Sequence, residues 1–383
     1  MLRDVFYFNK IMQALNRLSY FYIGDHQSTE KSPTPDWKIS GNDSYWYAEF
    51  RNSLVQLPKV LSPIILDKII NADLYLVLYN FWESYHEVVR EVYIHAILKL
   101  GILEHKIILM SESADIYQQV KTVAKIYNKS EIRVIWCRGM ELSIQRYKKM
   151  CKPILTLEDK IYEKKFLNFN RRWHLHRPVL VSLMYSMGLL DKGFISLALE
   201  GDAFNWNSVF PLMEAQHKNN VEISNTLVSH KEEILKLPPM YLDTQELMVN
   251  QAQLNEDTDY FYANTYFSVV SETNFYRRTP GRFLTEKTFK PIAQQHPFIL
   301  VTRPYTLDTL RSIGYKTFSP WIDESYDTEE DEGNRLLLIV KEIKRLANLT
   351  PSELTLFLNG VRDICKYNFE VFMSKDTFIT ELN

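Results

Sequence analysis

Short apolar segments alternate with segments of helical spacing along most of the chain, and this alternation limits the possible folds more than any other feature. After a polar, proline-containing segment at 27–43, which is predicted to be a long loop, it is regular up to residue 150, and it resumes after residue 165. Strands that alternate with helices of ordinary length are joined by crossover connections, which produce parallel sheets. The sequence therefore predicts an α/β protein of two successive domains, with a deep cleft between them where ligands bind beyond the carboxyl ends of the strands.

The predicted elements divide into two groups. The first half has predicted strands at 20–23, 74–79, 106–110 and 132–136, and helices at 83–100, 115–126 and 140–150. A polar, lysine-rich segment at 151–165 is predicted to be the linker. The second half has predicted strands at 166–169, 194–199, 266–270, 298–301 and 315–318, helices at 175–190, 285–295 and 307–313, and an irregular insert at 201–259. The domain bounds are drawn as 1–158 and 159–383, and the last helices could return to the first domain.

Composition excludes several classes of protein. The net charge of the 383 residues is −2, so the chain lacks the basic field of a nucleic-acid packaging protein. No window approaches the roughly 18–20 uninterrupted apolar residues of a membrane span, and polar residues interrupt the apolar core that an N-terminal signal peptide would need. The three cysteines, Cys137, Cys151 and Cys365, lack metal-ligand spacing, which predicts reduced thiols in a cytoplasmic protein.

The most informative stretch is an apolar strand that ends at Glu272 and Asn274, followed by an arginine-rich loop and a helix that begins near Thr285. Thr285 suits an N-cap and Glu286 suits the positive end of the helix dipole, whereas Lys287 is unfavourable there. A bound anion would offset that misfit, because free N–H groups and the ammonium would converge on it. A carboxylate for ribose hydroxyls beside a lysine for phosphate indicates a nucleoside diphosphate site. The alternative is an amphipathic surface helix with both charges in water.

A resemblance to a known family rests on these residues. The run SVVSETNF, followed by RFLTEKTFKPIAQQHPFILV, resembles the donor-site signature of the α-1,3-fucosyltransferase family and its relatives. It resembles still more closely viral and phage proteins that carry Thr-Glu-Lys-Thr-x-Lys-Pro, then Gly-Tyr/Phe-Lys-Thr-Phe and Asp-Glu-Ser-Tyr-Asp, found here at 314–318 and 323–327. The resemblance covers roughly residues 166–332 and gives no guidance before residue 165. The sequence departs from the fucosyltransferase pattern at Thr273, which separates Glu272 from Asn274.

The resemblance implies a glycosyltransferase of the GT-B type, in which two Rossmann-like domains face each other across a cleft. The first domain would take the acceptor and the second the nucleotide sugar, which is a co-substrate, so no cofactor is implied. In that family an arginine after the first strand of the donor domain contacts the diphosphate. Arg177 is the best positional match, with Arg171 and Arg172 as competitors, and a guanidinium fork suits phosphate. The implied donor-binding residues are Arg171, Arg177, Glu272, Asn274, Thr285, Glu286 and Lys287.

The departing diphosphate needs positive charge, from either a metal or the protein. Asp257-Thr-Asp259 has the Asp-x-Asp pattern of a metal site, but it lies in a polar run instead of ending an apolar strand. We therefore expect no metal, with Arg177, Lys287 and the helix terminus stabilising the leaving group of a hexosyl- or pentosyltransferase.

An inverting reaction also needs a general base from the first domain. Asp25, His26, Glu83 and Glu112 each follow a predicted strand of that domain, and Asp25 and Glu83 rank first. Each of these residues could instead be a helix cap or a surface residue.

The acceptor is weakly encoded. The phage-type resemblance favours a hydroxymethylated base, 5-hydroxymethylcytosine, in duplex phage DNA, which would place the protein in the host-cell cytoplasm. Two basic clusters fit DNA phosphates: Lys148-Lys149 with Lys152, and Arg277-Arg278 with Arg282. The alternatives are a carbohydrate acceptor such as a surface-glycan precursor, and a non-catalytic module that only binds a nucleotide sugar. The oligomeric state is not encoded in any pattern of the sequence.

Overall fold

The structure is a computed structural model. It describes residues 19–24, 54–55, 57–72, 74–80, 86–150, 162–170, 174–197, 205–238, 240, 242, 256–277 and 281–374. Contacts divide the chain into two units. The first unit comprises Met1–Leu142, Thr279–Phe283 and Asp376–Asn383, and the second comprises Ser143–Arg278 and Leu284–Lys375.

The first unit is built on a four-stranded parallel sheet with the order β1-β2-β3-β4. The strands are β1 Ser19–Gly24, β2 Leu74–Asn80, β3 Ile107–Ser111 and β4 Arg133–Trp136. The helices are α1 Leu57–Val60, α2 Pro63–Asn71, α3 His86–Val92, α4 Ile116–Tyr127 and the start of α5 Gly139–Met150. Helix α3 continues directly into a π-helical segment, Tyr93–Lys99.

The core of the first unit lies between this sheet and its helices. All five residues of β3 are buried, as expected of a central parallel strand with both faces covered. Val89 of α3 and Val120 of α4 belong to the same buried cluster as Leu109 of β3. The apolar residues that predicted these elements are therefore the ones that hold them together.

The second unit contains another four-stranded parallel sheet, with the order β6-β5-β7-β8. The strands are β5 Phe166–Asn168, β6 Gly193–Ile195, β7 Phe267–Ser271 and β8 Phe298–Val301. Besides the end of α5, the described helices are α6 His176–Ser186, α7 Trp206–His217, α8 Val221–Ser229, α9 Lys231–Leu235, α10 Glu256–Ala263, α11 Glu286–Ala293, α12 Thr306–Ser312, α13 Glu332–Ala347 and α14 Pro351–Ser374.

The predicted α/β class with two Rossmann-like parallel sheets is confirmed. Two local predictions are wrong. Residues 315–318 form no strand. Tyr315 and Phe318 belong to an irregular segment, yet both side chains are buried. The Phe318 ring packs edge-on against the Phe298 ring with a centroid distance of 5.0 Å. Two buried aromatic residues in so short a run imitate a strand pattern. The insert at 201–259 is also more regular than expected, because its described residues form α7, α8, α9 and the start of α10.

Two further sequence features have simple structural counterparts. Cys137 and Cys365 are buried, and Cys151 lies outside the described residues. Within the described ranges, no helix combines the length and apolar character needed to cross a bilayer.

Candidate functional site

The carboxyl edge of the second sheet carries a connected set of polar residues. The Asn168 amide donates to the carbonyl of Val269 at 2.7 Å and to the Ser271 hydroxyl at 3.3 Å. The Asn170 amide donates to Asn168 Oδ1 at 2.5 Å, and its backbone N–H donates to the Ser196 hydroxyl at 3.0 Å. The ends of β5, β6 and β7 are thus linked side by side at the edge where open α/β sheets bind ligands.

Arg177 lies at this edge and is buried. It belongs to the first turn of α6, is 1% exposed, and donates from Nη2 to the carbonyl of Ser271 at 2.9 Å. Burial, followed by the charge of Arg177, holds the pKa of the neighbouring His176 well below its usual value, so this imidazole is neutral. Its ring stacks on Phe275 with a centroid distance of 5.0 Å. Arg177, which the sequence predicts to bind phosphate, therefore adds positive charge beside the end of β7.

Glu272 follows β7 directly and is fully buried. Its Oε1 accepts hydrogen bonds from the Thr285 N–H at 3.0 Å and from the Thr288 hydroxyl at 2.6 Å. Its Oε2 accepts from the Thr285 hydroxyl at 2.5 Å. In this structure the carboxylate therefore contacts the beginning of α11, and both of its oxygens have protein donors.

Thr285 is the N-cap of α11, as predicted. Its hydroxyl oxygen accepts from the Lys287 N–H at 3.2 Å, and its carbonyl accepts from the Thr288 N–H at 3.2 Å. Capping satisfies N–H groups that a helix start would otherwise leave open. The N–H groups of Lys287 and Thr288 are therefore already engaged by Thr285.

Glu286 and Lys287 form an ion pair, with Lys287 Nζ 3.0 Å from Glu286 Oε1. The same ammonium donates to the Thr285 hydroxyl oxygen at 3.1 Å. Burial raises the pKa of Glu286, but the ammonium groups of Lys287 and Lys290 outweigh it and bring the pKa to about 2. The Glu286 side chain is 9% exposed and the Lys287 side chain 27% exposed. The surface-helix alternative does not describe this turn, since Lys287 is its most accessible residue and is itself largely covered.

Asn274 is 2% exposed, and its carbonyl accepts from the Thr302 hydroxyl at 3.1 Å. This contact joins the segment after β7 to the residue after β8. Asn274 therefore lies at the same sheet edge as Arg177 and Glu272.

One buried cation near this segment was missed by the sequence analysis. Arg335 of α13 is 1% exposed, donates to the carbonyls of Glu329 and Phe275 at 2.9 Å each, and lies 4.3 Å from the Phe275 ring centroid. Burial lowers its pKa to about 10. A signal was available: Arg335 stands four residues before Ile339, on the face that Ile343 and Ala347 continue.

Three predicted site residues, Asp25, Glu83 and Arg171, lie outside the described residues, as do His26 and Arg172. Glu112, a lower-ranked candidate for the base, is 4% exposed at the end of β3, and its carbonyl accepts from the Trp136 indole at 3.1 Å. The Asp257-Thr-Asp259 motif lies on helix α10, where the Asp259 carboxylate accepts from Gln294. Among the described residues, no group of three or more His, Cys, Asp and Glu is arranged to hold a metal ion.

Half of the cations in the basic clusters proposed for DNA are occupied by other contacts, and Lys149 is exposed. Lys148 is 5% exposed on α5 and donates to Gln294 Oε1 at 3.1 Å. Arg277 pairs with Glu330, and Arg282 pairs with Asp115 at 2.6 Å. Lys152 and Arg278 lie outside the described residues. Three of the six cations that favoured DNA are therefore buried or paired with acids.

Comparisons with known proteins give only a distant likeness. No family model matches the chain, and no curated protein matches it. One similar solved structure is a UDP-forming α,α-trehalose-phosphate synthase from Burkholderia xenovorans, with a TM-score of 0.39 and 12% identity over 97% of this chain and 84% of that one. Another is the N-terminal domain of a trehalose-6-phosphate phosphatase from Candida albicans, with a TM-score of 0.37 and 10% identity over 88% of this chain and 75% of that one. Likenesses this distant do not bear on the chemistry of the chain.

Proposed function

We propose that the chain is a glycosyltransferase that moves a sugar from a nucleoside diphosphate donor to an acceptor hydroxyl, with the donor diphosphate bound at the start of α11. The Lys287 ammonium carries this proposal. It is fixed at the positive end of a helix, where a cation is unfavourable, and Glu286 is its one anionic partner among the described residues. A phosphate oxygen would be a second anionic partner, reached through the 27% of the side chain that is exposed.

The proposed chemistry uses fixed positive charge. Charge grows on the diphosphate as the bond to the sugar breaks, and an ammonium already in place stabilises it without reorganisation. Arg177 adds a buried positive charge beside the end of β7. We accordingly propose a metal-independent reaction, which predicts full activity in EDTA. Asp25 and Glu83 remain the proposed general bases for an inverting transfer, and Arg171 remains a proposed donor ligand.

For the acceptor we propose a carbohydrate hydroxyl ahead of 5-hydroxymethylcytosine in duplex DNA. DNA binding draws on several lysines and arginines that release counterions. Lys148 is buried here, and Arg277 and Arg282 pair with acids. A band-shift titration with hydroxymethylated duplex DNA separates the two acceptors: steeply salt-dependent binding would restore the DNA acceptor, and its absence favours the carbohydrate.

Nucleotide binding tests the donor site directly. UDP, GDP and their sugars are titrated by calorimetry against the wild type, Lys287→Ala and the control Lys344→Ala, which removes an exposed lysine of α13. Loss of one hydrogen-bonded charge predicts a dissociation constant about 10- to 100-fold higher for Lys287→Ala. Lys344→Ala should match the wild type. Equal affinity of Lys287→Ala and the wild type would refute the site. Release of free sugar from the bound donor would separate an enzyme from a non-catalytic module.

A further inference from the structure

We infer that Glu272 is a positioning residue: its buried carboxylate orients the Thr285 hydroxyl, and through it the Lys287 ammonium, and does not bind the donor itself. This inference rests on the proposed function for its meaning in catalysis. It differs from the role suggested by the sequence, in which Glu272 is a donor-binding residue. Its basis is the complete set of contacts around this carboxylate.

The carboxylate is already occupied. Glu272 is fully buried, and its two oxygens accept three hydrogen bonds, from the Thr285 N–H, the Thr285 hydroxyl and the Thr288 hydroxyl. A ribose diol would have to displace these donors from the beginning of α11. Two of the three contacts are 2.6 Å or shorter.

The Thr285 hydroxyl transmits the orientation. A hydroxyl has one proton to donate and two lone pairs that accept. The proton goes to Glu272 Oε2, and the lone pairs accept from the Lys287 N–H at 3.2 Å and from Lys287 Nζ at 3.1 Å. Because the carboxylate can only accept, it fixes the direction of the hydroxyl proton. That direction leaves both lone pairs facing Lys287.

The carboxylate is in turn anchored to the sheet. The Glu272 N–H donates to the Val301 carbonyl at 3.0 Å, which extends the β7–β8 pairing by one residue. Glu272 and Thr285 are 13 residues apart in sequence, so their contacts hold the helix start against the strand end. The side chains of Glu272 and Thr285 thereby connect the Lys287 ammonium to the sheet.

Glu272→Gln tests this arrangement with little change in shape. One carboxylate oxygen becomes an NH₂ group, which donates and cannot accept. If the NH₂ group replaces the oxygen that accepts from the Thr285 hydroxyl, that hydroxyl must turn its proton away from residue 272 and toward Lys287. There the proton competes with the ammonium. If it faces the other way, the Thr285 N–H and the Thr288 hydroxyl lose their acceptor. In either orientation the turn that holds Lys287 is disturbed.

The first measurement needs no nucleotide. Limited acetylation with acetic anhydride, followed by peptide mass spectrometry, gives the labelling rates of Lys287 and of the exposed Lys344 in the same sample. We expect Lys287 to react several-fold faster in Glu272→Gln than in the wild type, with Lys344 unchanged. Equal Lys287 rates would overturn the inference. Thr285→Ser should keep the slow wild-type rate and Thr285→Ala should raise it. If Glu272→Gln does not fold, this pair tests the hydroxyl through which Glu272 acts, and equal rates in Thr285→Ala and the wild type would overturn the inference.

The second measurement is a double-mutant cycle on nucleotide affinity. Glu272→Gln should weaken binding about tenfold in the wild-type background and have almost no effect in the Lys287→Ala background, because it acts through Lys287. The same factor in both backgrounds would mean that the carboxylate contacts the donor, and the inference would be wrong. If the wild type binds no nucleotide, the proposed function fails while the labelling result still decides the positioning role.

Discussion

Asp327 is a buried carboxylate at a helix start, where burial and hydrogen bonds from the helix N–H groups shift its pKa in opposite directions. It allows a direct test of which effect is larger. Its carboxylate accepts from the N–H groups of Thr306 and Leu307 at 3.0 and 3.1 Å, in the first turn of α12. Such N–H groups favour a negative charge. The residue is 4% exposed, however, and loss of water disfavours the charge. Burial is the larger effect and raises the pKa of Asp327 from 3.8 to about 6.

The perturbation is Asp327→Asn, which keeps the shape of the side chain and removes its titration. The folded pKa lies above the unfolded one, so the stability contributed by Asp327 is complete below about pH 3.8 and is lost as the pH rises through about 6. At about 1.4 kcal/mol per pKa unit, the loss is roughly 3 kcal/mol by pH 7.5. The variant has no such loss. Its free energy of unfolding should therefore rise relative to the wild type between pH 4 and pH 7.5.

Urea denaturation at several pH values measures this difference, because the other titrating groups are common to both proteins. Asp363→Asn changes an exposed aspartate of α14 and is the control for the general effect of removing one surface carboxylate. The opposite trend, with Asp327→Asn losing stability relative to the wild type as the pH rises, would show that the N–H groups of α12 dominate. The reasoning from burial would then be refuted.

Two further predictions concern packing in the second unit. Arg335→Met should lower the free energy of unfolding by about 3 kcal/mol, because the carbonyls of Glu329 and Phe275 lose buried donors, and a change below about 0.5 kcal/mol in urea denaturation would contradict this. Gly360→Ala should destabilise by about 1–3 kcal/mol despite the better helix propensity of alanine, because the new Cβ would overlap the indole ring of Trp321. Asn359→Ala, exposed on the same turn, should be neutral or stabilising in the same denaturation experiment, and equal results for the two variants would refute the steric argument.

The sequence predicted the strands best where an apolar run was short and bounded by polar residues. β3 and β7 are such runs, and every residue in both is buried. It failed at 315–318, because burial of Tyr315 and Phe318 depends on what packs over a loop and not on a local repeat. The insert at 201–259 was misjudged in part because Pro211 lies inside α7, where local rules do not expect a proline.

In the candidate site, residue types were easier to predict than their partners. The N-cap role of Thr285 follows from local rules and is present. The contacts of Glu272 with Thr285 and Thr288 span 13 and 16 residues, and no local pattern reveals which groups a buried carboxylate will meet after the chain folds. Asp327 was missed for the same reason, since it caps α12 from 20 residues further along the chain.

Burial and contacts distinguish the residue that holds the start of α11 in place, Glu272, from the residue proposed to bind the donor, Lys287. A group that binds a ligand needs hydrogen-bonding capacity left over after folding, and a path to it. Glu272 is fully buried and both of its oxygens accept hydrogen bonds from Thr285, so its hydrogen-bonding capacity is used within the protein. The Lys287 ammonium has three protons, two of which bond to Thr285 and Glu286, and the described residues supply no partner for the third. With 27% of its side chain exposed, Lys287 meets both requirements, and a phosphate is the kind of ligand that its charge selects.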